Sequence, residues 1–253
     1  MRKTLAVAYL NFKGAVKDNF FLGVAFFFAF YLAFCIFLGK LSAGQMSKVL
    51  SDAGLFGIEV TVITLIIFSF TMNFYRERDT RILEVYLSRF DRASYVSGKI
   101  LGYCLLSLVY LVFCAVCFSA ILGAYGGFAW PLLAALYPVF LKSALIIGFV
   151  SIFSCFLSSA TTAMLTTFFV WIASEFAPSA VIITEQQGLP WQKAFIKGIY
   201  LLLPNVDRLN VKSAAVYGQL PGAQYFILAT LYAGAYLTAL WLINILILRE
   251  KEY

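Results

Sequence analysis

Long apolar runs alternate with short polar segments along the whole chain. Six runs, 20–39, 54–75, 100–122, 132–157, 163–183 and 223–248, each hold about 20 or more mostly apolar residues. At about 1.5 Å rise per residue, each is long enough to cross the ~30 Å hydrocarbon core of a bilayer as a helix. The pattern predicts an all-α membrane protein with six transmembrane helices, a single transmembrane domain over 1–253.

The polar segments add structure of their own. Over 4–17, Leu5, Ala8, Tyr9, Phe12 and Val16 fall on one stripe at helical spacing, with Lys3, Lys13 and Lys17 off it. This predicts an interfacial helix within 1–18. The short run Leu5–Leu10 is followed by Asn11, Lys13, Lys17 and Asp18, so it is not read as a signal peptide. Trp130-Pro131 marks an interfacial restart before the fourth span. Within the segment 184–222, the stretch Pro190–Leu203 is apolar and aromatic with two lysines, and too short to span. It predicts a re-entrant or interfacial helix before span six. Ala229 and Ala233 have the small-x-x-x-small spacing that permits close helix approach.

Composition supports a lipid solvent. The chain is 62% apolar and 12% charged, with a mean hydropathy of +0.90. Soluble domains average about 45–50% apolar and about 25% charged. The net charge of +7 is spread over short segments between apolar runs, so no basic domain exists to bind nucleic acid. All five cysteines lie inside apolar runs, which argues against a disulfide framework. Cys114 and Cys117 have metal-like spacing but no second pair, and the chain has no histidine. No metal site is expected. The lack of histidine, of a paired intramembrane Asp and of a serine beside a base disfavours an intramembrane enzyme.

The basic residues divide unevenly. Twelve fall on one side of the predicted topology: Arg2, Lys3, Lys13, Lys17, six in 76–99 and two in the tail. Six fall on the other: Lys40, Lys48, Lys193, Lys197, Arg208 and Lys212. The imbalance predicts cytoplasmic termini, a cytoplasmic 76–92 segment and an external 184–222 loop.

The segment Asn73–Lys99 carries ten of the chain's 31 charged residues. Glu77 and Arg81 stand four apart, the favoured order for a helical ion pair. Ile82, Val85 and Tyr86 share one face. Ser88 to Asp91 interrupts the pattern, and either residue can cap the helix leading into span three. A topology signal needs only basic residues. Four acids and an apolar stripe beside them suit protein contact better, so the segment predicts an elbow that docks a soluble partner.

The run YRERDTRILEVYLS from Tyr75 to Ser88, with Arg92 and GKILG from Gly98 to Gly102, resembles the segment after the second span of ABC-2-type permeases, the membrane subunits of ATP-binding-cassette exporters. Ala8–Asp18 resembles the family's basic amphipathic start, Ser51–Leu55 the beginning of its second span, and Leu203–Asn205 with Asn210–Ser213 its outer loop. No proline stands near Phe90, where many members have one. The resemblance implies that 76–92 is a coupling helix docking on a separate ABC ATPase subunit, which binds ATP and Mg. It implies a dimer with a second permease copy or homologue, a place in the cell (inner) membrane, and room for periplasmic or accessory subunits. The expected polar contacts are Glu77, Arg78, Arg81, Glu84 and Arg89, and the apolar ones Ile82, Val85 and Tyr86. This chain has no G-x-x-x-x-G-K-[ST] phosphate loop, so it is expected to hold no cofactor and to be no enzyme itself. The alternative is a non-transporting scaffold that recruits a cytoplasmic partner through the same residues.

Three charges fall inside predicted spans: Glu59, Lys142 and Glu175. Such groups are costly in hydrocarbon and face protein or water. Counted from the outer side they stand roughly five (Glu59), ten (Lys142) and eight (Glu175) residues in, all in the outer half at about 1.5 Å per residue, so Lys142 can pair with Glu175 or Glu59. The pair either fixes helix packing or serves the substrate route.

Overall fold

The computed structural model describes residues 2–42, 45–187 and 189–250. They form helices and no strand. In chain order these are α1 (Arg2–Lys17), α2 (Asn19–Leu41), α3 (Met46–Asp79), α4 (Ile82–Arg89), α5 (Arg92–Ala124), α6 (Trp130–Ala134), α7 (Leu136–Phe156), α8 (Ala160–Gln187), α9 (Pro190–Leu202), α10 (Lys212–Val216) and α11 (Ala223–Glu250), with a 3-10 turn at Val206–Leu209. Six segments are long and apolar enough to cross a membrane: α2, α3, α5, α6–α7, α8 and α11. The chain is a multi-pass helical membrane protein.

The bundle is built around α3 and α7. In each, 72% of the most apolar window is buried inside the protein, against 17% for α8. The peripheral helices turn large side chains outward, as in the exposed Phe26, Phe30 and Phe37 of α2. Lipid is the solvent that such a surface fits. Ala229 and Ala233 of α11 are buried beside Leu141 and Leu145 of α7, so the small-residue spacing does mark a close contact.

Several boundaries differ from the sequence pattern. The second span begins at Met46 and runs to Asp79, so most of the polar segment 41–52 is helical. Most of 184–222 is also ordered as α9, the 3-10 turn and α10. Asn205 caps that turn by accepting from the Arg208 amide at 3.3 Å, and the Tyr225 hydroxyl donates to the Arg208 carbonyl at 2.6 Å. The Tyr225 bond holds the segment to α11.

α1 lies along α5. Val7, Ala8, Asn11 and Ala15 are buried, whereas Leu5, Tyr9 and Leu10 are exposed. The predicted apolar stripe therefore straddles two faces, one on protein and one outward. Two glycines allow the approach. A Cβ at Gly98 would stand 2.8 Å from the Thr4 carbonyl oxygen, and one at Gly102 would stand 2.7 Å from that of Ala8. Asn11, polar but buried, donates to the Val7 carbonyl at 2.9 Å. At the α11 end, the Trp241 indole donates to Ser97 Oγ at 2.9 Å. The start of α2 and the end of α11 thus lie at the same end of the bundle as α4.

Candidate functional site

Between α3 and α5 the chain makes a sharp elbow. α3 continues past its apolar part to Asp79, and Thr80 Oγ1 donates back to the Arg76 carbonyl at 2.7 Å. Arg81 then adopts a left-handed conformation (φ 56°, ψ 13°), the sole positive-φ residue other than glycine among the described residues. That reversal separates α3 from α4. It also breaks the helical register on which the Glu77–Arg81 pair rested.

Glu77 turns inward instead. Its Oε2 lies 2.6 Å from Lys99 Nζ and accepts from the Tyr95 hydroxyl at 2.7 Å. Lys99 Nζ also lies 3.1 Å from the Tyr95 oxygen and 4.8 Å above the centre of the Phe74 ring. All three residues are buried, so the charges are compensated within one compact triad joining α3 to α5. Tyr86 of α4 packs on this triad, its ring 6.0 Å from that of Tyr95. Burial and the nearby Glu77 carboxylate push the Tyr86 phenol above its ordinary pKa. Leu83 is buried beneath α4.

The expected coupling residues divide into two groups. Glu77 is spent on Lys99. Arg78 donates to the Leu157 carbonyl at 3.3 Å, which Tyr75 also reaches at 2.9 Å, so both hold the end of α7. Neither is a free surface contact. Arg81, Ile82, Glu84, Val85 and Arg89 are exposed, and Tyr86 is half-buried. Ile82 and Tyr86 line a cavity of about 270 Å³ with Leu10, Asn11, Gly14 and Arg76, between α1, α3 and α4. Asp91 occupies the N-cap position of α5, while Ser88 lies within α4.

The intramembrane charges come together as the sequence predicts, with one addition. Lys142 Nζ lies 3.0 Å from Glu59 Oε1 and 3.1 Å from both oxygens of Glu175. It therefore pairs with both carboxylates rather than one. Lys212 of α10 approaches Glu59 Oε2 to 2.6 Å, completing a neutral set of two cations and two carboxylates. The Lys142 side chain is 0% exposed and that of Glu175 23%. The set links α3, α7, α8 and α10. It lies about 27 Å along α3 from Glu77, at about 1.5 Å per residue.

Toward the elbow end, α2, α3 and α8 border a half-open cavity of about 480 Å³ lined by Asp18, Phe20, Phe68, Ser69, Met72, Asn73, Tyr75, Arg76, Asp79, Thr80 and Ala160. An aromatic row leads away from it: Phe20 on Phe68 at 5.1 Å, Phe68 on Phe168 at 6.0 Å, and Phe168 on Trp171 at 6.3 Å. Trp171 stands one helical turn from Glu175, and its buried indole nitrogen has no hydrogen-bond partner among the described residues.

Sequence reasoning misses Lys99, Tyr95 and Lys212. By position alone, Lys99 is one more topology lysine and Lys212 a loop lysine. Neither has a local acidic partner, because Glu77 stands 22 positions from Lys99 and Glu59 is on a helix far from Lys212 in sequence. Among the described residues, no group of three or more His, Cys, Asp or Glu could hold a metal ion. Cys114 and Cys117 are free thiols on α5. No family model matches the chain, and no curated protein matches it either.

Proposed function

We propose that this chain is the permease subunit of an ABC exporter, of the ABC-2 type that its sequence resembles, forming the substrate route as a dimer with a second permease copy or homologue. The ATPase is a separate cytoplasmic subunit that carries ATP and Mg. Both termini are cytoplasmic. α1 lies in the inner interface, α4 is the coupling helix, and α9 lies in the outer interface with Trp191 and Phe195 turned outward.

The observation that carries this reading is the construction of the elbow. α4 presents Arg81, Ile82, Glu84, Val85 and Arg89 outward, while Leu83, Tyr86 and the Glu77–Lys99–Tyr95 triad fasten it to two spanning helices. A push on the outer face passes into α3 and α5, because the buried triad resists separation. α3 runs from this joint past the 480 Å³ cavity to the Lys142 cluster. That arrangement suits a device in which force from another chain opens a route between helices.

The test is co-purification of the tagged chain from its native membrane. An ATPase that co-purifies, and whose turnover responds to Glu84→Ala or Val85→Asp, supports the permease. A soluble partner without ATPase activity on the same face supports the scaffold instead, and no partner on α4 at all removes both.

A further inference from the structure

The cavity between α2, α3 and α8 has an uneven lining. One side is apolar, with Phe20 stacked on Phe68 and the exposed Met72 in the same lining. Toward the α4 end it carries three charged groups: Asp18, Arg76 and Asp79. None of the three makes an ion pair within 4 Å among the described residues. Among the described residues Arg76 donates only to Asn73 Oδ1, at 3.3 Å. Asp18 Oδ1 accepts from the Phe20 amide at 3.3 Å, which leaves its second oxygen uncommitted. The buried wall also includes Ser69, whose hydroxyl has no hydrogen-bond partner among the described residues. Arg76 and Asp79 are exposed and Asp18 is half-buried, so the three charges at the cavity are open to a ligand. At about 480 Å³ the cavity falls in the size range of small-ligand sites.

We propose that this cavity binds the head of a zwitterionic amphiphile, one that joins a phosphodiester to an ammonium group and carries an apolar tail. The guanidinium of Arg76 takes the phosphate, for which its planar fork of donors is suited. The carboxylates of Asp18 and Asp79 take the ammonium. The tail lies along Phe20, Phe68 and the aromatic row toward Phe168. Two carboxylates and one guanidinium disfavour a purely anionic head, which would leave both acids unpaired and repelling it. The site rests on the permease reading only in making this amphiphile a cargo; binding itself needs no ATPase.

The experiment uses the full chain in nanodiscs doped with photoreactive phosphatidylethanolamine or phosphatidylglycerol bearing identical tails, with crosslinks mapped by peptide. Phosphatidylethanolamine is expected to label 68–80 more than phosphatidylglycerol by about fivefold, the size of one well-placed ion pair at a half-open site. Asp18→Asn with Asp79→Asn is expected to bring that ratio to about one, since Asn at 18 keeps the helix cap and hence the fold. Arg76→Gln is expected to weaken both lipids. Competition by a soluble single-chain phosphocholine supports the headgroup assignment and names a free amphiphile as a source; competition only by diacyl lipid supports it with membrane lipid as the source. Equal labelling by both lipids, or a ratio that survives the double Asp substitution in protein with an unchanged melting temperature, overturns the site. If the ratio holds but no ATPase co-purifies, the permease reading fails and the site stands. If an ATPase co-purifies and the ratio is one, the site alone fails.

Discussion

Lys99 Nζ lies 2.6 Å from Glu77 Oε2, at the point where the helix leaving the elbow meets the helix entering it. The pair is buried, and Tyr95 donates to the same carboxylate oxygen. Removing one partner leaves an uncompensated charge. Lys99→Met is therefore expected to cost about 3–5 kcal/mol, and Lys99→Met with Glu77→Leu clearly less. Thermal unfolding in detergent compares the two, and a double variant as unstable as the single one counts against the joint.

The second charged set predicts the same non-additivity in a different place. Lys142→Met leaves Glu175 without its cation and Glu59 with Lys212 alone. Adding Glu175→Gln restores neutrality and leaves the Glu59–Lys212 pair. The double variant is expected to be more stable than Lys142→Met by roughly 1–3 kcal/mol in a double-mutant cycle. If Lys142→Met leaves both stability and transport unchanged, the cluster serves neither packing nor a route.

The outward face of α4 separates coupling from folding. Ile82 and Val85 are exposed, so Ile82→Ser with Val85→Ser is expected to shift stability within about 0.5 kcal/mol, as surface changes do. The same variant is expected to lose most partner-stimulated ATPase turnover, measured with the reconstituted partner. Leu83→Ser gives the contrast. Leu83 is buried, so its loss lowers the melting temperature first.

The seat of α1 is set by two glycines. A Cβ at position 98 or 102 would stand 2.8 or 2.7 Å from the carbonyl oxygen of Thr4 or Ala8, so Gly98→Val with Gly102→Val forces α1 away from α5. Hydrogen exchange of the α1 amides is expected to rise, while that of α3 stays unchanged. Equal protection of α1 in the variant and the parent contradicts the contact.

Orientation is open to direct chemistry. In a version with all five native cysteines replaced, Ser88→Cys and Lys197→Cys place thiols on exposed positions of α4 and α9. Intact cells treated with a membrane-impermeant thiol reagent are expected to label position 197 and to spare position 88. The reverse pattern inverts the topology.

The apolar runs alone determined six spanning helices, because about 20 apolar residues have no other stable place than a bilayer. The depth of Glu59, Lys142 and Glu175 was legible for a related reason: helical rise is regular, so position in sequence gives height in the membrane. Tertiary structure decided what each charge meets. In sequence Glu77 is half of a local pair with Arg81, yet the left-handed turn at Arg81 breaks their register and Lys99, 22 positions away, takes its place. Lys212 is a loop lysine until α10 brings it to Glu59. Pattern fixes the neighbours along one helix. Contacts between helices depend on rotation about their axes, and that is settled by which side chains and glycines let the backbones close.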